Sequence, residues 1–145
     1  SLVEDGYDLK ALLKNKKILL PIDVEVLRNG KALSCTLEDI KPGDVIIDSG
    51  KNTTKLLAKI VANSKTVLWN GPLGKYESPH GKEASLSVLK ALTKNRKCFS
   101  VIGGGDITAV STPAIEKKLS FVSTGGGATL EFLATGTLPG IKALK

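Results

Sequence analysis

Two runs of three glycines, Gly103-Gly104-Gly105 and Gly125-Gly126-Gly127, each follow a short apolar stretch and precede residues able to open a helix. Glycine lets a backbone turn tightly and approach a ligand without side-chain obstruction. A helix start adds free N–H groups and a partial positive charge, which suits phosphate. A lone triplet reads most simply as a tight turn; two in the same strand–glycine–helix context point to one anionic ligand held between them. Asp106 follows the first triplet and could hold Mg²⁺ with nucleotide oxygens completing the shell, or serve as a helix cap. Glu77 follows a Gly/Pro loop, where it could accept from ribose hydroxyls or be a solvated loop charge.

These residues need elements to position them. Phe99 to Ile102 and Phe121 to Ser123 read as strands, as does Thr66-Val67-Leu68-Trp69, which ends in Asn70-Gly71-Pro72-Leu73-Gly74. Helices are expected over Lys82 to Thr93, with Leu86, Leu89 and Leu92 inward, and over Ala128 to Ala134, closed by Gly136. Pro113 breaks the helix after Asp106. Upstream, Asp8 to Lys14 reads as a helix end with Leu9, Leu12 and Leu13 on one face, and Lys17 to Pro21 as a strand. Val24 to Leu27 and Ala32 to Cys35 flank Asn29-Gly30, a hairpin signal. Lys41-Pro42-Gly43-Asp44 is a turn and Val45 to Asp48 a buried strand. Thr53 or Thr54 would cap a helix bearing Leu56, Leu57, Ile60 and Val61. Alternation of strand and helix predicts an α/β fold, a parallel sheet with helices on both faces, whose ligand sits at the strand exits.

Composition narrows the function. At 145 residues the chain is one domain with room for a core. The net charge of +7 invites a nucleic-acid reading. Against it, only Arg28 and Arg96 are arginines and aromatics are 4%, leaving few bidentate readers or stacking platforms. The lysines read as solvated faces with a mild attraction for phosphate-bearing ligands. No run of about 18 apolar residues and no charged-then-apolar leader is seen, so neither membrane nor secretion is expected. Cys35 and Cys98 lack a C-x-x-C pattern and are expected to be reduced, in a cytoplasmic setting. Ser1 in place of methionine suggests a processed, trimmed or fragmentary chain.

Competing motifs fail on spacing. Walker A fails because Tyr76 follows Gly74-Lys75. The dinucleotide pattern would need glycine where Thr108 or Leu130 stands, which weakens a Rossmann oxidoreductase. One histidine and two distant cysteines do not make a zinc site, and His80 reads as a loop residue. No G-x-S-x-G occurs. A nucleotide phosphate site without a catalytic base remains.

Leu20-Pro21-Ile22-Asp23, Trp69 to Glu77, Gly103 to Asp106, Ser123 to Glu131 and Leu138-Pro139-Gly140 stand in the order and approximate spacing of phosphoglycerate kinase, which the chain resembles nearly end to end. The resemblance covers only part of that family's C-terminal nucleotide-binding domain, and implies a Rossmann-like sheet truncated at its opening. Residues 1–145 would be one partial domain, with the N-terminal triose-phosphate domain and the phosphate-binding lysines absent. The resemblance implies phosphoryl transfer between 1,3-bisphosphoglycerate and Mg-ADP, giving 3-phosphoglycerate and ATP in glycolysis. The full-length parent would be a cytoplasmic monomer whose partners are small molecules, with ATP/ADP and Mg²⁺ as cofactors. By the same resemblance Asn70 and Pro72 line the nucleotide cleft and Glu77 binds ribose. Gly103, Gly104, Gly105 and, through its backbone N–H, Ile107 lie beside the nucleotide, Asp106 serves the metal, and Gly125, Gly126 and Gly127 face the transferred phosphate. Departures are Ile107 where the family has Thr or Ser, Asp48-Ser49-Gly50-Lys51 for Asp-x-Gly-Pro, and the segment Ser78 to Lys82. The isolated piece is expected to bind nucleotide weakly and not to turn over; the alternative is a non-catalytic nucleotide-binding or structural α/β module.

Overall fold

The computed structural model describes residues 9–144. It contains two three-stranded sheets. The first is antiparallel, from β1 (Asp23–Arg28), β2 (Lys31–Thr36) and β3 (Val45–Ser49), with β1 in the middle. The second is parallel, from β4 (Thr66–Asn70), β5 (Phe99–Gly103) and β6 (Phe121–Ser123), in that order. The helices are α1 (Leu9–Lys14), α2 (Lys51–Asn63), α3 (Glu83–Lys94), α4 (Gly105–Val110), α5 (Pro113–Glu116), α6 (Gly126–Thr135) and α7 (Pro139–Ala143).

The hairpin forms as its turn chemistry requires. Asn29 and Gly30 both have positive φ (50° and 76°), the twist that a two-residue hairpin turn needs. The Lys41–Asp44 turn closes with Asp44 N–H donating to the Lys41 carbonyl at 3.0 Å, Gly43 taking φ 90°. Arg28 holds Asp44 in a fork, Nε to Oδ1 at 2.8 Å and Nη2 to Oδ2 at 2.6 Å. That bond, with the Lys41 N–H, holds the Asp44 carboxyl down at about 2. The stability it lends this sheet is present above the ordinary carboxylate range near 4 and is lost as pH falls through about 2. Acid melts of Asp44→Asn should therefore lack part of the wild-type drop between those values; identical curves would contradict this.

Three expectations are corrected. Lys17 to Pro21 is not a strand: Ile18, Leu19, Leu20 and Ile22 are 41–54% exposed, with no neighbouring strand among the described residues to complete a ladder. The strand expected at Val45 to Asp48 forms and buries Ile47 and Asp48, but Val45 and Ile46 are half exposed, because β3 is an edge strand of the hairpin sheet. Neither Thr53 nor Thr54 is the cap of α2. The cap position is Gly50, and the capping oxygens come from Asp23, which accepts from Asn52 N–H (2.9 Å) and Thr53 N–H (2.8 Å). Thr53 hydroxyl packs onto the same carboxylate at 2.8 Å. Burial opposes ionisation of Asp23, yet these bonds outweigh it and lower its pKa. Asp8 and the side chains of Leu9 and Leu12 lie outside the described residues; Leu13 is exposed.

Downstream the expected pattern holds. Each parallel strand is followed by a helix, and the sheet is flanked by helices. The core joins Trp69, Ile102, Leu89, Leu92, Val88, Val61, Cys98 and Ile107. Trp69 and Ile102 are register partners, so the sheet turns one row of side chains to α2 and α3. Buried Asp48 caps α3 through Ala84 N–H at 3.0 Å; burial pushes its carboxyl up. Gly136 ends α6 in the left-handed conformation, φ 71°.

Candidate functional site

The exits of the three parallel strands meet at one point. Gly71 N–H donates to the Gly103 carbonyl (3.1 Å) and Gly104 N–H to the Ser123 carbonyl (2.9 Å), extending the ladder past β4 and β5. The Asn70 amide oxygen lies where the two glycine runs approach each other. A Cβ on Gly126 would stand 2.2 Å from it and 2.8 Å from the Gly104 Cα; a Cβ on Gly103 would stand 3.2 Å from it. Gly104 itself needs glycine for its φ of 107°. Asn70, Gly103, Gly104 and Gly126, singled out in the sequence, are thus in mutual contact.

Two helices open at this junction. In α6 the first intrahelical bond is Thr129 N–H to the Gly125 carbonyl (2.8 Å), which leaves the amides of Gly126, Gly127 and Ala128 ahead of it. In α4 the first is Thr108 N–H to the Gly104 carbonyl (3.3 Å), with Gly105, Asp106 and Ile107 ahead. Gly126 is glycine for packing, but a Cβ on Gly105 or Gly127 would meet nothing within 4 Å. The folded chain gives no internal reason for glycine at those two positions.

Asp106 is exposed and is not a cap: Gly104 holds the cap position of α4 and no side chain bonds there. The one hydrogen bond to its side chain among the described residues comes from the Tyr76 hydroxyl, to Oδ1 at 3.2 Å. The Asp106 carboxylate in turn pushes the Tyr76 phenol up. No group of three or more His, Cys, Asp or Glu converges among the described residues. A divalent cation at Asp106 would therefore draw most of its oxygens from a ligand, which fits a nucleotide-chelated Mg²⁺.

The loop from Gly71 to Lys82 carries Pro72 and the exposed Glu77, and is strapped to β3 by Lys75 N–H to the Ile47 carbonyl (2.7 Å). The Ile107 side chain is fully buried in the core, so the backbone N–H expected to remain at this position is the group it can offer a ligand. Thr108 does not restore the hydroxyl, since it donates to the Gly105 carbonyl at 2.6 Å. His80 lines a separate cavity of about 460 Å³, beside Glu25, Lys51 and Lys55. Sequence reasoning missed Tyr76; its place between Lys75 and Glu77 was the available signal.

The family profile described as phosphoglycerate kinase matches residues 6–136. The chain belongs to the phosphoglycerate kinase family. A phosphoglycerate kinase of Solibacter usitatus is 40% identical over 99% of the chain, and one of Dictyoglomus turgidum 35% identical over 98%. Phosphoglycerate kinase from Coxiella burnetii superposes with a TM-score of 0.78 at 36% identity, over 94% of the chain and 36% of that structure. The enzyme from Pyrococcus horikoshii gives 0.70 at 31% identity, over 86% of the chain and 31% of that structure. The chain spans 38% of the Solibacter phosphoglycerate kinase and 39% of the Dictyoglomus one. Among the described residues no helix is long and apolar enough to cross a membrane.

Proposed function

We propose that this chain is one partial C-terminal domain carrying the nucleotide half-site of a phosphoglycerate kinase. In the whole enzyme it serves phosphoryl transfer from 1,3-bisphosphoglycerate to Mg-ADP, giving 3-phosphoglycerate and ATP. The observation that carries the reading is the convergence of Asn70 with both glycine runs where α6 opens. Phosphoryl transfer needs positioning and charge stabilisation more than proton chemistry, and backbone amides at a helix start supply both. Gly125 to Gly127 face the transferred phosphate, and Gly103 to Gly105 and the Ile107 N–H border the nucleotide. Asn70 and Pro72 line its cleft, Glu77 takes the ribose, and Asp106 holds Mg²⁺ together with phosphate oxygens. The substrates are small molecules, the parent is a monomer, and two free thiols, Cys35 and Cys98, suit a reducing cytoplasm.

Calorimetric titration of ADP, with and without Mg²⁺, tests this. Weak, saturable, magnesium-dependent binding with no turnover in a coupled assay is expected. Substantial turnover by the chain alone would refute the half-site reading, and absence of binding would refute the loop assignments for this piece. Asp106→Ala should remove most of the magnesium-dependent gain and leave the magnesium-free affinity within about twofold, because the carboxylate would meet the nucleotide through the cation. Equal loss in both conditions would make Asp106 structural.

A further inference from the structure

We propose that Tyr76 is a positioning residue that fixes the Asp106 carboxylate for a nucleotide-bound cation and couples the loop carrying Glu77 to the metal side of the site. The proposal rests on the nucleotide reading above and deepens it.

Geometry carries the argument. Asp106 sits in the first turn of a short helix, on the solvent side, where an unrestrained carboxylate samples several rotamers. The Tyr76 hydroxyl, arriving from a segment 30 residues away, donates to Oδ1 and leaves Oδ2 without a protein partner among the described residues. A carboxylate held by one oxygen offers the other as a monodentate ligand, which suits Mg²⁺, since that ion keeps few protein ligands and strict geometry.

The platform under Tyr76 is firm. Lys75 N–H is bonded to the Ile47 carbonyl at 2.7 Å, Ser78 N–H to the Lys75 carbonyl at 2.8 Å, and Gly81 N–H to the Ser78 carbonyl at 3.1 Å. Nearby Gly74 and Gly81 leave no space: a Cβ on Gly74 would stand 2.4 Å from Asp48 Oδ1, and one on Gly81 2.0 Å from the Lys75 carbonyl oxygen. Tyr76 is therefore presented from a loop locked to β3, with Glu77 next to it on the same lock. Contact of a sugar with Glu77 and of a cation with Asp106 then depend on one shared support.

Tyr76→Phe tests this because it keeps the ring and removes only the donor. Two readouts are needed. In the free chain, the Hα–Hβ couplings of Asp106 should report one dominant rotamer in the wild type and averaged values in Tyr76→Phe. In titrations with ADP, the ratio of affinities with and without Mg²⁺ should fall about fivefold in the variant, the worth of one hydrogen bond, while magnesium-free ADP affinity and Tm stay unchanged. Averaged couplings in the wild type overturn the positioning role whatever nucleotide does. So does an unchanged affinity ratio, or an equal loss with and without Mg²⁺. A single rotamer lost in Tyr76→Phe, with no ADP binding by either chain, supports the positioning and overturns the nucleotide reading instead.

Discussion

Alanine at position 126 is expected to cost about 3 kcal/mol of stability, lowering Tm by about 10 °C. The added Cβ would stand 2.2 Å from the Asn70 amide oxygen, 2.8 Å from the Gly104 Cα and 3.0 Å from the Gly104 nitrogen. Two of those three neighbours are backbone, which cannot swing away as a flexible side chain does. Relief requires α6 to lift from the β4–β5 strand ends, and Gly104 cannot relax freely because its N–H is bonded to the Ser123 carbonyl. Thermal melts of Gly126→Ala against the wild type check this. A Tm within about 2 °C would show that Asn70 and the two glycine runs are not packed as described.

The second large effect falls on binding and spares the fold. Gly127→Ala is expected to leave Tm unchanged or slightly raised, since its Cβ meets nothing within 4 Å and alanine in a helix gains up to about 1 kcal/mol over glycine. Affinity for ATP, which carries the transferred phosphate, should by contrast fall at least about tenfold. A methyl group at the start of α6 holds a phosphate away from the amides of Gly126, Gly127 and Ala128, and hydrogen bonds from N–H groups to an ionised oxygen count for about 1.5–3 kcal/mol each. The pair of variants separates two reasons for glycine in one triplet: Gly126 for packing, Gly127 for the ligand. Undiminished ATP binding by a well-folded Gly127→Ala would remove α6 from the phosphate site.

Local chemistry made much of this protein legible. The hairpin followed from Asn29-Gly30, the end of α6 from Gly136, and the three parallel strands from short apolar runs that end in Asn70, Gly103 and Ser123. Each of these depends on residues a few positions apart, where φ preference and hydrophobic period act directly. The motif order from Leu20 to Gly140 also pointed to the family that residues 6–136 match.

What needed the folded chain were choices between partners far apart in sequence. Thr53 looked like a cap, but Asp23, 30 residues earlier, supplies the acceptor because β1 delivers a carboxylate to the start of α2. Val45 to Asp48 had the composition of a buried strand, yet among the described residues its one partner is β1 in an antiparallel sheet, which leaves Val45 and Ile46 half exposed. Lys17 to Pro21 had strand propensity and, among the described residues, no ladder to join. At the site, the residue types Asn70, Asp106 and the glycines were visible in the sequence; the Tyr76–Asp106 bond and the burial of Ile107 were not. Propensity and spacing are properties of a segment, whereas a hydrogen-bond partner, a covered face or a steric limit on Cβ exists only once distant segments share the same few ångströms.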